Sequence, residues 1–413
     1  MKRRLGIRIP NTFRSLKYYN FRLYFIGQSI SLIGTWMQRV TVPWVVYRLT
    51  GSSLLLGVTG FASQLPTFIL APFAGTIVDR VNRYKLLFVT QTIAMAQALA
   101  LYFFYVTGHV NVQLIIFLNT ILGTVNAFDM PARQSLFIHL VEGKEDLNNA
   151  IALNSSMVNL ARLIGPSIAG IIITTRGEAA CFLINAISYL FVIGSLAMMR
   201  LNLPEPAKLP HQILKDLKEG VAYIKSHSVI FHVITLLAIV SLIGMPYTIL
   251  LPVYSKEVLK GGAHTYGFLM GSIGIGALVG ALAMASRKNI KGIGKTLPYA
   301  CFIFGSALLF LSLVNNFYVA AVLIAIAGFG MVSETITSNT LLQLTTEEKK
   351  RGRVMSFYTF SFTGMAPFGS LLAGWLSQNL GVRKAFLISG LVLIVGGLHF
   401  HSKMKSFKEK EYF

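Results

Sequence analysis

Apolar runs long enough to cross a bilayer recur twelve times along this chain, at roughly 21–47, 54–78, 86–106, 112–134, 148–174, 178–199, 229–254, 265–286, 296–314, 318–343, 354–378 and 384–400. A spanning helix needs about 20 mostly apolar residues. Lipid offers the backbone no hydrogen-bond partner, so a run of this kind must bond to itself as a helix. The pattern predicts an all-α, multi-pass membrane protein with twelve transmembrane helices. Only 13% of residues are charged, about half the share in soluble domains. The formal net charge of +22 would suggest nucleic acid in a soluble chain. Here the charges fall in short gaps between apolar runs, as in a protein facing anionic lipid on one side, and no nucleic-acid partner is expected.

The basic residues set an orientation. With the first segment inside, the inner gaps collect Lys2, Arg3, Arg4, Arg8, Arg80, Arg83, Lys85, Arg133, Arg200, Arg287, Arg351, Arg353 and many lysines. The outer gaps hold Arg48, Arg176, Lys256, Lys260, Arg383 and Lys384. That bias places both termini on the cytoplasmic side of the membrane. The basic start is followed by polar residues, and the first apolar run is too long for a cleaved signal. Cys181 and Cys301 both lie in apolar runs without metal-ligand spacing. There is no Walker A, HExxH or GxSxG motif. No catalytic residue, metal or cofactor is expected, and the chain does not read as an enzyme.

A longer gap divides the runs six and six, giving an expected bundle over 1–200, a linker over 201–228 and a second bundle over 229–413. The linker carries Pro204, Pro206 and Pro210. Ile213, Leu217, Val221 and Ile224 then recur at helical spacing, with Lys215, Lys218 and Lys225 between them. This reads as a basic amphipathic helix on the inner leaflet. The halves also repeat. Gly123, Asp129 and Leu136 align with Gly328, Glu334 and Leu341 at an offset of 205. Gly165, Ala169 and Gly170 align with Gly369, Ala373 and Gly374 at an offset of 204.

Ionisable groups inside spans cost at least about 2.5–3.5 kcal/mol each on insertion scales, so they mark function by default. In the first run Gln28, Ser31, Thr35, Gln38, Arg39 and Thr41 share a face beside Trp36. That face is either a substrate wall or a seam hydrogen-bonded to the fifth span. In the fifth, Asn148, Ala152, Ser155, Asn159 and Arg162 recur at three- and four-residue steps. Arg162 suits an anionic substrate group or a buried acid. Gly165, Pro166 and Gly170 beyond it allow close contact and a bend. In the tenth, Glu334 has no basic residue within a turn. Low dielectric disfavours its charge, which suits a proton carrier. Pairing with Arg39 or Arg162 and binding of a cationic substrate are the alternatives. The eighth run spaces Gly267/Gly271 and Gly276/Gly280 for helix packing. The eleventh offers Phe357, Tyr358, Phe360, Phe362 and Phe368.

The stretch GTIVDRVNRYK, from Gly75 to Lys85, lies between the second and third runs. Its Gly75, Asp79-Arg80 and Arg83 resemble the signature loop of the major facilitator superfamily, with Asn82 where a glycine is usual. GTWMQRVTVPWVVYRLTGS in the first run, QLP with Gln64 in the second, and NAFDMPARQS in the fourth look like the bacterial branch that includes enterobactin exporters and macrolide-type efflux proteins. The resemblance implies two parallel six-helix repeats and alternating access around a central cavity. It further implies a cytoplasmic latch of Gly75, Asp79, Arg80, Arg83, Asp129 and Arg133, in which Arg80 or Arg83 pairs with Asp129. Proton coupling would fall to Glu334 and Asp129. The cavity would be lined by Gln28, Thr35, Trp36, Gln38, Arg39, Gln64, Asn159, Arg162 and Glu334. Hinge or packing sites would be Gly165, Pro166, Gly170, Gly369 and Gly374. The function implied is proton-coupled export of a small organic molecule by a monomer in contact with lipid. The two arginines favour a siderophore-like or otherwise polar, anionic substrate. Alternatives are a multidrug or macrolide-type pump for amphipathic cations, a lysophospholipid translocator, and a non-transporting scaffold or sensor.

Overall fold

The computed structural model describes residues 11–201, 213–287, 289–407 and 411–413. Pro204, Pro206 and Pro210 lie outside the described residues, as does the basic segment 1–10. Every regular element among the described residues is helical. The first seven helices are α1 (Tyr19–Thr50), α2 (Ser53–Arg80), α3 (Arg83–Val106), α4 (Val112–Phe137), α5 (Lys144–Arg176), α6 (Glu178–Met198) and the linker helix α7 (Ile213–Ser226). There follow α8 (Ser228–Ile239), α9 (Tyr247–Val253), α10 (Ala263–Ala285), α11 (Thr296–Leu311), α12 (Phe317–Thr345), α13 (Arg351–Gly364), α14 (Ala366–Leu380) and α15 (Val382–Met404). Ten helical segments among the described residues are long and apolar enough to cross a membrane.

Two expected single runs are broken. The seventh consists of α8 and α9 with π-turns at Val240–Gly244 and Tyr254–Val258, next to Pro246 and at the end of the turn containing Pro252. The eleventh is divided between α13 and α14 at Met365, with Pro367 in the first turn of α14. Proline cannot donate its backbone nitrogen and obstructs the preceding turn. Helix ends elsewhere use ordinary devices. Asn82 caps α3, its side chain accepting from the Lys85 amide, and Asn111 and Asn316 cap α4 and α12. Asn82 therefore fills the loop's usual glycine position with a capping role.

The chain forms two compact units. The first comprises 1–42 and 69–211, the second 43–68 and 212–413. This differs from the expected division over 1–200 and 229–413 in the segment 43–68. The second half of α1 and the first half of α2 group with the later helices, and their contacts give the reason. Trp44 stacks on Tyr266, and the Tyr47 hydroxyl donates to Glu257. Ser377 donates to Ser53 at 3.1 Å. A Cβ on Gly57 would meet the Ser370 carbonyl at 2.6 Å, and one on Gly374 the Ser53 carbonyl at 2.7 Å. Glycine at both positions is what lets α2 and α14 touch through their backbones.

Within the first unit α3 packs on α4 and α6; within the second α11 packs on α12 and α15. Gly276 and Gly280 of α10 face α12, where a Cβ on Gly276 would fall 1.8 Å from the Ala325 carbonyl. In the first unit a 3-10 segment, Asn11–Lys17, is tied to the start of α5. Arg14 and Lys17 bridge Asp146 at 3.1 and 2.7 Å, and Ser15 donates to Asn149. The hydrogen bond to Asp146 pushes the Lys17 ammonium above its ordinary pKa. In the second unit α7 is tied to α13: Arg353 bridges Glu219 at 2.6 Å, and Phe357 covers Gly220.

Candidate functional site

Three polar constellations fill the first unit. In the first, Trp36 of α1 lies against α5, where a Cβ on Gly165 would meet its Cβ at 2.6 Å. The guanidinium carbons of Arg39 and Arg162 stand 4.8 and 5.3 Å from the Trp36 ring centre. One aromatic ring thus holds two cations by its face, an attraction worth about 0.5–2 kcal/mol each. The glycine at 165 permits this by letting α5 approach α1 without a side chain. Arg39 is exposed and Arg162 half-buried. Asn159, on the same stripe, turns its amide onto the Ser155 carbonyl of its own helix at 2.9 Å.

The second constellation surrounds Asp129 on α4. Arg133, one turn on, donates to it through Nε at 3.2 Å and through Nη2. Thr90 and Gln91 of α3 donate at 2.8 and 2.7 Å. Arg133 also donates to Gln28 of α1. The latch reading paired Asp129 with Arg80 or Arg83. Among the described residues Arg133, Thr90 and Gln91 hold the acid. The four-residue spacing puts Arg133 on the same helix face as the acid. Gly75 and Arg80 are exposed, and among the described residues nothing lies within 4 Å of where a Gly75 Cβ would fall. The side chain of Asp79 lies outside the described ones. A small cavity lined by Tyr24, Gln28, Gln91, Arg133 and Ser195 opens beside the pair.

The third joins Gln38 to residues that the polar-stripe reasoning missed. Gln38 donates to Gln97 of α3 at 2.9 Å and accepts from Asn185 of α6 at 2.7 Å. All three are buried. A lone amide in an otherwise apolar run was the available signal at Asn185, and Gln97 shares its run with Gln91. Gln38 is thus part of a seam to α3 and α6, whereas the seam expected of the first-run stripe was to the fifth span. Thr35 is half-buried.

The second unit holds Gln64 and Glu334. Gln64 of α2 donates to Ser370 of α14 at 3.2 Å. Glu334 of α12 is 0% exposed. Its Oε1 accepts the Ser338 hydroxyl at 2.8 Å, and Thr335 lies 3.5 Å from Oε2. Its hydrogen-bond partners among the described residues are hydroxyls. Gly369 of α14 lies against the Leu242 carbonyl and Pro246, as Gly165 lies against α1. Phe68 packs on Phe360 and Phe368, and Phe61 on Phe368. No group of three or more potential metal ligands occurs among the described residues.

These features define a multi-pass membrane protein with the helical fold of major facilitator transporters. Its structure aligns with a bacterial homologue of the human lysosomal transporter Spinster at a TM-score of 0.74, with 11% identity, over 98% of this chain and 100% of that one. It aligns with a bacterial homologue of the iron transporter ferroportin at 0.73, with 15% identity, over 93% and 98%. The chain belongs to the transmembrane secretion effector family of that superfamily, whose family model matches residues 11–412. It is 27% identical to the staphyloferrin A transporter of Staphylococcus aureus, over 90% of this chain and 93% of that protein. It is 24% identical to macrolide efflux protein A of Streptococcus pyogenes, over 92% and 95%. With the multidrug efflux pump Tap of Mycolicibacterium fortuitum it shares 25% identity, over 87% and 89%.

Proposed function

We propose that this protein is a proton-coupled exporter of a small, anionic, oxygen-rich molecule of the siderophore type, working by alternating access. The observation that carries the reading is the arginine pair on Trp36. Two guanidinium groups on one ring, at membrane depth, offer planar donor forks matched to carboxylate or catecholate oxygens. Such charges persist in a membrane only where a bundle interior or watery cavity receives them. The relative named for staphyloferrin A supports the same substrate class. Glu334 is the proposed proton carrier, being fully buried with hydroxyl partners. Asp129, neutralised by Arg133, is reassigned in this reading from coupling to holding α3 and α4 together.

The twelve-span topology follows if α1 and the α13–α14 pair join the ten apolar segments. Matched packing of α3 on α4 and α6, and of α11 on α12 and α15, supports two parallel repeats. The charge bias supports cytoplasmic termini in a bacterial inner membrane, and the protein is read as a monomer. Efflux of amphipathic cations is the second reading. The Phe61, Phe68, Phe360 and Phe368 cluster favours it, together with the macrolide and multidrug relatives.

Proteoliposomes containing the purified protein test both. Proton release driven by carboxylate or catecholate siderophores, lost in Arg39→Gln and Arg162→Gln, is the expected result. Flux driven by cationic drugs and indifferent to both arginines would replace the first reading with the second.

A further inference from the structure

At the junction of α1 and α6, away from the constellations above, a second pair of arginines shares an aromatic ring. The guanidinium carbons of Arg22 and Arg200 stand 6.0 and 5.8 Å from the ring centre of Tyr19. The three side chains come from the first turn of α1 and the residue just beyond α6. Their placement is built: Asn20 donates its amide to the Arg200 carbonyl at 2.8 Å and accepts from the Arg200 amide at 3.0 Å. This two-bond clasp fixes the chain where it leaves α6.

Arg22 and Arg200 have no acidic partner among the described residues. Arg14 and Lys17, a few residues earlier, are engaged by Glu145 and Asp146. The neighbouring cations are thus neutralised while this pair keeps its charge available. Tyr19 is 44% exposed. Farther along the two helices Ile26, Ile30, Phe191 and Met198 are exposed apolar residues. Gly27 packs against Ser195 and the Phe191 carbonyl, which brings the two apolar stripes together. The cluster therefore combines a doubly cationic head, an interfacial tyrosine and a hydrocarbon-compatible surface leading away from it.

We infer that Tyr19, Arg22 and Arg200 form a binding site for the phosphate headgroup of an anionic phospholipid, whose acyl chains lie along α1 and α6. Two guanidinium forks match the phosphodiester oxygens. Tyrosine suits the headgroup level, and cation–π contact holds both arginines over one spot. Juxtamembrane arginines are drawn to the anionic lipid of the cytoplasmic leaflet.

The test is native mass spectrometry of the full chain, delipidated in detergent and titrated with phosphatidylglycerol or phosphatidylcholine of the same acyl chains. Wild type is expected to retain phosphatidylglycerol preferentially. Arg22→Gln/Arg200→Gln should lose that preference, binding phosphatidylglycerol about tenfold or more weakly and phosphatidylcholine unchanged. Arg176→Gln/Lys384→Gln, at the opposite helix ends, should behave as wild type. Undiminished phosphatidylglycerol retention in the arginine variant overturns the site, as does an equal loss in the distal control. Displacement of the lipid by millimolar inorganic phosphate would overturn the lipid assignment in favour of a free anion. If the double variant misfolds, Arg22→Gln and Arg200→Gln singly carry the same comparison.

Discussion

The Ser338 hydroxyl donates to the buried Glu334 carboxylate at 2.8 Å from one turn along α12. On α4 the position one turn after Asp129 is taken by Arg133. At the offset of 205 that aligns Asp129 with Glu334, Arg133 aligns with Ser338. The two halves carry the same acid with different neighbours, one countered by a charge and the other by a hydroxyl. An arginine at 338 would fix Glu334 as an anion. Ser338→Arg is therefore expected to abolish substrate-driven proton release in proteoliposomes. Glu334→Gln should do the same by removing the titrating group. Proton release surviving in either variant would take Glu334 out of the coupling mechanism.

The converse substitution addresses stability. Arg133→Leu leaves Asp129 buried without its counter-charge, although Thr90 and Gln91 remain. Removing one member of a buried ion pair costs about 3–5 kcal/mol, whereas replacing both is often near neutral. The single variant should lower the apparent melting temperature in detergent well below that of Asp129→Asn/Arg133→Leu. Equal melting of the two would mean that the pair is sufficiently hydrated for its charges not to matter.

This pair also shows what could be read from the chain. The apolar runs and the glycine faces are local patterns, and they carried most of the helical layout. The spacing of Asp129 and Arg133 was equally visible. The resemblance sets a loop arginine beside the acid, and the spacing sets Arg133 there as well. Met365 gave no local sign of the break in the eleventh run; Pro367, two residues on, is legible only as a helix-start residue once the break is known. The grouping of 43–68 with the later helices was not legible at all. It rests on Gly57, Ser53 and Tyr47 meeting Gly374, Ser377 and Glu257, pairs hundreds of residues apart with no periodic signature. Gln97 and Asn185 are visible as amides inside apolar runs, but their common partner Gln38 lies on another helix.

The glycines divide into those that pack and those that do not. Gly276→Ala would drive a methyl group into the Ala325 carbonyl of α12, and Gly165→Ala one into Trp36. Overpacking of this kind costs about 1–3 kcal/mol. Among the described residues nothing lies within 4 Å of where a Gly75 Cβ would fall, so Gly75→Ala should leave thermal stability unchanged. Unfolding of the three variants in one detergent should rank Gly276→Ala as most damaging. Loss of stability at Gly75 would show that the loop packs against a neighbour in another state of the cycle.

The tie between α7 and α13 rests on charge, and charge can be exchanged. Arg353 bridges Glu219 at 2.6 Å, with Lys350 at 3.9 Å, while Tyr223 accepts the Glu347 amide at 3.4 Å. Exposed pairs contribute about 0.2–1 kcal/mol, enough to bias a short surface helix. Glu219→Arg should speed limited proteolysis within 213–226 by about two- to fivefold. Glu219→Arg/Arg353→Glu should restore protection by rebuilding the pair in reverse. Failure of the double variant to recover would assign the docking to Phe357 over Gly220 instead.

The contact between α2 and α14 offers a direct test of whether it must open. The hydroxyl oxygens of Ser53 and Ser377 are 3.1 Å apart and both side chains are buried. The pair is therefore close enough for two cysteine sulfurs to bond with little backbone movement. Cys181 and Cys301, the native cysteines, are buried in helices and free, so background crosslinking should be low. Ser53→Cys/Ser377→Cys is expected to form a disulfide under mild oxidant, visible as a shift on a non-reducing gel after cleavage in the linker. If the proposed alternating access works by parting this seam, the oxidised protein should stop transporting and recover on reduction. Undiminished transport in the crosslinked protein would mean that α2 and α14 stay together throughout, and the opening would have to be sought between other helices.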